Sequence, residues 1–294
     1  MSEPYRRLLD STIAHLEALS AQGARHVAIS ADTLAQLQKS PAPVRPTARP
    51  APPAARPTPT RPSLIETPPA APASLATMTT RPAHFSIEQK AAGLDALRRR
   101  VVPCQLCRHL ASSRTQTVFG VGNPGAELMF VGEAPGADED AQGEPFVGKA
   151  GQLLTRIIQA TGLTRADVFI ANILKCRPDT PGQSAGNRKP TPSEMATCLP
   201  YLLEQIDVIQ PRVIVALGAT AIEGLFGKTA GITRLRGTWM SYRDTPVMPT
   251  YHPAYLLRNQ ALTEKRKVWE DMLAVMEKLG LAITEKQRAF FLKA

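Results

Sequence analysis

Three runs of consecutive apolar residues, at 128–131, 168–171 and 213–217, interrupt a mostly polar background, and each ends at Gly132, Asn172 or Gly218. Runs without polar alternation suit parallel strands covered on both faces. Between them, apolar positions recur at helical spacing over 151–161 and 192–210, and again over 219–226 after the third run. A fourth strand is expected over 247–250, just before His252, with a closing helix over 264–278. The alternation predicts an α/β fold with a doubly wound parallel sheet. Ligands of such sheets gather at the carboxyl ends of the strands. Here those ends carry 132–136, 172–178, 218–220 and 252–254.

The first part of the chain follows other rules. Tyr5, Leu8, Leu9, Ile13, Leu16 and Leu19 recur at helical spacing, and 33–37 predicts a second short helix. Residues 1–40 therefore read as a short helical segment, too small for a robust core and suited to docking on a protein partner. Of the 27 prolines, 13 fall between Pro41 and Pro82. Residues 41–85 are expected to form a disordered, Pro/Ala-rich linker. The remainder, 86–294, is long enough for one globular domain.

The formal charge of +10 divides unevenly, because residues 1–100 hold 13 Lys and Arg against 7 Asp and Glu, and the rest 22 against 18. A basic tail lends salt-sensitive affinity for polyanions or keeps an extended chain solvated. No stretch approaches 18 apolar residues, so no membrane span is expected. No charged start followed by an apolar run and a cleavage site marks the chain for export, so a reducing, cytoplasmic setting is expected. A monomer is the expected state.

The four cysteines change the picture most. Cys104 and Cys107 flank two residues, a spacing that aims both thiolates at one metal, while 68 residues separate Cys107 from Cys176 and 21 separate Cys176 from Cys198. Distant second ligands disfavour a zinc ribbon and permit a four-cysteine iron-sulfur cluster, although ferredoxin-type spacing is absent. Buried thiols or disulfides are the alternatives.

Taken in order, Gly132-Glu133-Ala134-Pro135-Gly136, then 143–151 (GEPFVGKAG), then Asn172 with Lys175-Cys176-Arg177-Pro178 and Asn187-Arg188, then His252-Pro253-Ala254-Tyr255-Leu256-Leu257 resemble the family 4 uracil-DNA glycosylases, over about 102–279. The resemblance implies a three-layer α/β/α sandwich around a four-stranded parallel sheet and removal of uracil from DNA. It implies a 4Fe-4S cluster on Cys104, Cys107, Cys176 and Cys198.

The chemistry of base removal is consistent with those residues. An extruded base needs a closed pocket that reads its Watson-Crick edge and a flat surface for its ring. Phe146 is the expected stacking surface, with Asn172 as the amide that pairs with uracil and Gly132 and Ala134 lining the pocket. Breaking the N-glycosidic bond develops positive charge on the sugar and negative charge on uracil. Glu133 is the candidate carboxylate for the first and His252 the candidate donor for the second. Family 1 enzymes place an aspartate at the position of Ala134, which separates Glu133 from a strong general-base role. Asp138, Glu139 and Asp140 read as an exposed acidic loop. Tyr255, Leu257 and Arg258 are expected to press on the DNA, with Lys175, Arg177 and Arg188 on its phosphates.

Two other readings compete. Residues 143–149 fit the opening of a phosphate-binding loop, but Ala150 stands where a magnesium-binding Ser or Thr is required. A low-turnover damage sensor, or a member of the superfamily's DNA-crosslinking branch, would also bind uracil-containing DNA. That branch has a glutamine in place of Ala134 and a basic loop with a reactive histidine, whereas 231–237 contains none. Residues 179–186 lengthen the interval between Cys176 and Cys198 beyond the family's pattern, as an inexpensive surface insertion.

Overall fold

The computed structural model describes residues 85–180, 183–227 and 231–292. The expected helical segment 1–40 and all but the last residue of the linker 41–85 lie outside them.

The elements run α1 (Ile87–Val101), α2 (Arg108–Ser113), β1 (Val121–Gly122), β2 (Leu128–Gly132), α3 (Ala137–Gln142), α4 (Lys149–Ala160), β3 (Phe169–Asn172), β4 (Asp179–Thr180), β5 (Gln183–Asn187), α5 (Pro192–Ile209), β6 (Val213–Leu217), α6 (Ala219–Phe226), α7 (Ile232–Leu235), β7 (Met240–Tyr242), β8 (Thr245–Thr250), α8 (Pro253–Arg258), α9 (Leu262–Leu279) and α10 (Glu285–Arg288). Local signals set many of the boundaries. Ser86 with Gln89 and Thr191 with Glu194 form capping boxes that open α1 and α5, and left-handed Gly227 and Gly280 close α6 and α9.

The main sheet has the order β1-β3-β2-β6-β8-β7. Its four central strands are parallel, as expected. The sheet is nevertheless six-stranded and mixed, because β1 and β7 add antiparallel edges. These two short strands lack a continuous apolar run, which is why the hydrophobic pattern does not reveal them. β4 and β5 form a separate antiparallel pair in the interval between Cys176 and Cys198.

Side chains alternate across the central strands. Met129, Val131, Phe169, Ala171, Ile214 and Ala216 pack toward α1, α5 and α6, while Leu128, Phe130, Ile170, Val215 and Leu217 pack toward α4 and α9. Two buried faces make the three-layer α/β/α arrangement. From β3 the chain crosses back past β2 to β6, and the register sets Gly132 opposite Asn172 and Leu217 opposite Thr250. A switch point therefore opens at the carboxyl ends of the central strands.

Candidate functional site

At that edge lies a cavity of about 370 Å³ lined by Glu133, Ala134, Phe146, Asn172, Arg188, His252 and Arg258 among others. Register alone brings Gly132 and Asn172 together, and the glycine keeps their space open. A Cβ at Gly132 would fall 2.4 Å from Asn172 Oδ1 and 2.5 Å from Phe146 Cζ. Phe146 is buried, and its ring stands 5.5 Å from that of His252, tilted by 32°. Its φ of 56° is left-handed, an uncommon conformation for an aromatic residue.

Asn172 is 2% exposed, and its Oδ1 has no hydrogen-bond partner. A buried acceptor left unpaired costs free energy that a ligand donor can recover. Behind it, the buried Lys175 ammonium donates to Asn172 O (2.9 Å) and to Gln205 Oε1 (2.6 Å), while Gln205 Nε2 donates to Phe119 O. Lys175 thus braces the end of β3. It is 1% exposed, so the expected phosphate contact is corrected: its charge is spent inside the fold. Burial lowers its pKa to about 8.

His252 precedes α8 and its Nδ1 accepts from Ala254 N at 3.1 Å. Burial, helped by the Arg258 charge, pushes its pKa down to about 4. The ring is neutral at ordinary pH, and with Nδ1 accepting, its proton belongs on Nε2. β8 is held where His252 leaves it by an internal cluster. Thr250 Oγ1 donates to Asp271 at 2.6 Å, and Arg236 forks onto the same carboxylate.

The Uracil DNA glycosylase superfamily profile matches residues 119–273. The chain is 45% identical over 183 residues to the type-4 uracil-DNA glycosylase of Thermotoga maritima, covering 61% of this chain and 91% of that protein. It is 43% identical over 203 residues to the same-named protein of Sulfurisphaera tokodaii (66% and 87% covered) and 40% over 206 to that of Archaeoglobus fulgidus (67% and 97%). The chain belongs to the type-4 uracil-DNA glycosylases. A type-5 protein of Pyrobaculum aerophilum is more distant, 27% identical over 190 residues, covering 53% of this chain and 80% of that protein.

Within this type-4 chain, the acids at 138–140 are helical rather than in a loop, and only Asp138 is exposed. They form α3, where Glu139 accepts three backbone N–H groups and Asp140, 5% exposed, accepts from Thr115 N. Their adjacency reflects helix capping and loop bracing, which charge counting cannot distinguish from solvation. Glu133 stands half-buried in the cavity wall. Ala134 lines the same wall, leaving Glu133 without a neighbouring carboxylate at that position.

After His252, Leu256 is buried in a small cluster with Tyr251 and Val268, which leaves the half-buried Leu257 as the wedge candidate. Tyr255 packs on Tyr251, donates to Glu264 and accepts from Asn259. Its hydroxyl anchors the loop from within. Arg258 is exposed at the cavity mouth. Arg177 is half-buried. Arg188 is no freely solvated cation: it forks onto Glu194, which is 3% exposed, while His109 Nε2 lies 2.6 Å from the same carboxylate.

The cysteines occupy the start of α2, the exit of β3 and the middle of α5. Arg114 donates to Cys176 Sγ at 2.9 Å and to Cys104 O at 2.7 Å, and Lys175 N donates to Cys198 Sγ at 3.2 Å. Burial raises the Cys107 and Cys176 thiols and pushes Cys198 up to about 12. The thiols also oppose one another's ionisation, Cys104 and Cys176 acting on Cys107, and Cys176 and Cys107 on Cys198. Among the described residues, no group of three or more His, Cys, Asp or Glu is disposed to hold a metal ion. No helix among them is long and apolar enough to cross a membrane.

Proposed function

We propose that this chain is a monofunctional uracil-DNA glycosylase of base excision repair, hydrolysing the N-glycosidic bond of deoxyuridine in DNA to release uracil and leave an abasic site. The observation that carries the reading is the unpaired, buried Asn172 Oδ1 beside an aromatic ring and a neutral imidazole. Uracil offers an N3–H donor to that acceptor and an O4 to the amide nitrogen. Cytosine presents an acceptor and a donor in the reverse order, leaving buried groups unpaired.

Phe146 supplies the stacking face once the base enters, and Gly132 and Ala134 keep the wall clear. As the bond to C1′ breaks, the electron pair passes to uracil N1 and charge spreads to O2. The His252 Nε2–H donor stabilises that charge without transferring its proton, and the Glu133 carboxylate stabilises the sugar cation that water then captures. Leu257 and Arg258 fill the vacated stack and hold the strained strand. All three Arg188 nitrogens donate within the protein, to Asp179 O, Lys189 O and Glu194, so Arg177 is the remaining phosphate candidate among Lys175, Arg177 and Arg188.

The four cysteines fit a 4Fe-4S cluster better than a single ion, since a cluster binds its thiolates at four separate irons. Its charge would offset the burial that raises the Cys107, Cys176 and Cys198 thiols. Cys104 and Cys107 before α2, Cys176 after β3 and Cys198 in α5 would hold it, so that it would tie these segments together, while catalysis runs through the residues at the pocket. A cytoplasmic location accords with reduced cysteines.

The test is purified protein on a uracil-containing oligonucleotide beside a thymine control, with and without hot alkali, and with a denaturing gel for adducts. Alkali-dependent cleavage over many turnovers is expected. A stoichiometric adduct would move the chain to the crosslinking branch, and neither product nor adduct would leave binding without catalysis.

A further inference from the structure

The 143–149 stretch has the glycine spacing of a phosphate-binding loop, and the fold shows what takes the phosphate's place. Glu139 Oε1 accepts from both Val147 N and Gly148 N at 3.0 Å, and Oε2 accepts from Gly136 N at 3.1 Å. The loop's anion is one of the chain's own carboxylates. On the other side, Arg165 donates Nη1 to Phe146 O at 3.2 Å and Nη2 to Pro145 O at 2.8 Å. Residues 145–148 thus have two carbonyls held by a guanidinium and two amides held by a carboxylate. Between them sits Phe146 at φ 56°, a conformation that persists in such a residue only when its surroundings over-determine it. The third side is closed by Gly151, where a Cβ would fall 1.8 Å from Phe146 O.

We propose that Glu139 and Arg165 are positioning residues that clamp 145–148 and so hold the Phe146 ring in register with the base. The inference rests on the uracil reading of the pocket. Although Glu139 lines the cavity, both of its oxygens are engaged with backbone N–H groups, which separates it from Glu133. Its effect on the reaction passes through Phe146.

The test is a double-mutant cycle on single-turnover excision at saturating enzyme, with DNA affinity measured in parallel. Glu139→Ala is expected to slow excision by roughly 10²-fold at unchanged DNA affinity, the scale of a small misplacement of a positioned group. Glu139→Gln recovers part of that loss, because it keeps an acceptor for the two amides. In a Phe146→Leu background, Glu139→Ala adds little further loss. Additive losses, or a wild-type rate in Glu139→Ala, would overturn the clamp. Amide exchange gives a readout independent of catalysis: Val147 and Gly148 exchange faster in Glu139→Ala, and unchanged exchange also refutes the proposal. If Glu139→Ala fails to fold, Arg165→Lys, which keeps the charge and loses the fork, enters the same cycle. A wild-type protein without excision would sink the glycosylase reading and leave the exchange experiment to decide the clamp.

Discussion

The pocket at the strand ends and the cysteine-bearing side of the domain treat polar groups in opposite ways. At the pocket, Asn172 Oδ1 is buried without a partner and His252 is held neutral with its Nε2–H uncommitted to its own loop. Around the cysteines, Glu194 is shared by Arg188, His109 and Thr191 N, and Arg114 is divided between Cys176 and Cys104. One region keeps hydrogen-bonding capacity in reserve for a ligand. The other uses most of it to hold distant segments together, with Asp140 Oδ1 the one buried oxygen left over there among the described residues. Substitutions should accordingly cost rate in the first region and stability in the second.

The sharpest way to break that contrast is at the thiols. If the four cysteines hold the proposed cluster, Cys198→Ala removes its visible absorbance together with most of the soluble, folded yield, read by absorbance and circular dichroism. A colourless variant with wild-type folding would separate the cysteines from stability.

Glu194→Gln comes next. It strips the partly exposed Arg188 and His109 of their common carboxylate, and losing these charged hydrogen bonds costs about 1.5–3 kcal/mol in urea unfolding, with a smaller loss of rate in the folded fraction. Arg188, above all, holds Glu194 well below the usual carboxylate range. Because the folded pKa is depressed, this stabilisation is present above the ordinary carboxylate value and is lost as pH falls below it. The variant should lack that slope.

His252→Leu tests the other side. Removing one preorganised donor should slow excision by about 10²–10³-fold, or about 2.7–4 kcal/mol, while urea unfolding stays near wild type. With its pKa at about 4 in the fold against 6.5 unfolded, His252 is a neutral donor from pH 5 upward and contributes no decline in rate until pH approaches 4. Since the unfolded ring binds protons more readily, stability falls as pH drops from 6.5 toward 4. That slope should vanish in His252→Leu.

The smallest effect is expected at the exposed cavity mouth. Arg258→Ala should weaken DNA binding several-fold and reduce the salt slope of log K by about 1, with little change in unfolding. A loss confined to rate at constant affinity would place Arg258 within the pocket's chemistry.

The four central strands, the main helices and the loops that reach the pocket are legible in the chain alone, because continuous apolar runs and 3.6-residue periodicity are local signals. The motifs also singled out Gly132, Glu133, Asn172 and His252, at or just past the ends of β2, β3 and β8, and Phe146, in the loop between α3 and α4. What each charge does follows from packing and not from local signals. Lys175, Arg188 and Glu139 look alike as surface charges in a linear reading. Their partners, Gln205, Glu194 and the amides of Val147 and Gly148, lie up to 30 residues away and are chosen by packing. The edge strands β1 and β7 were illegible for a related reason: they gain their order from the neighbours they pair with, and little of it from their own side chains.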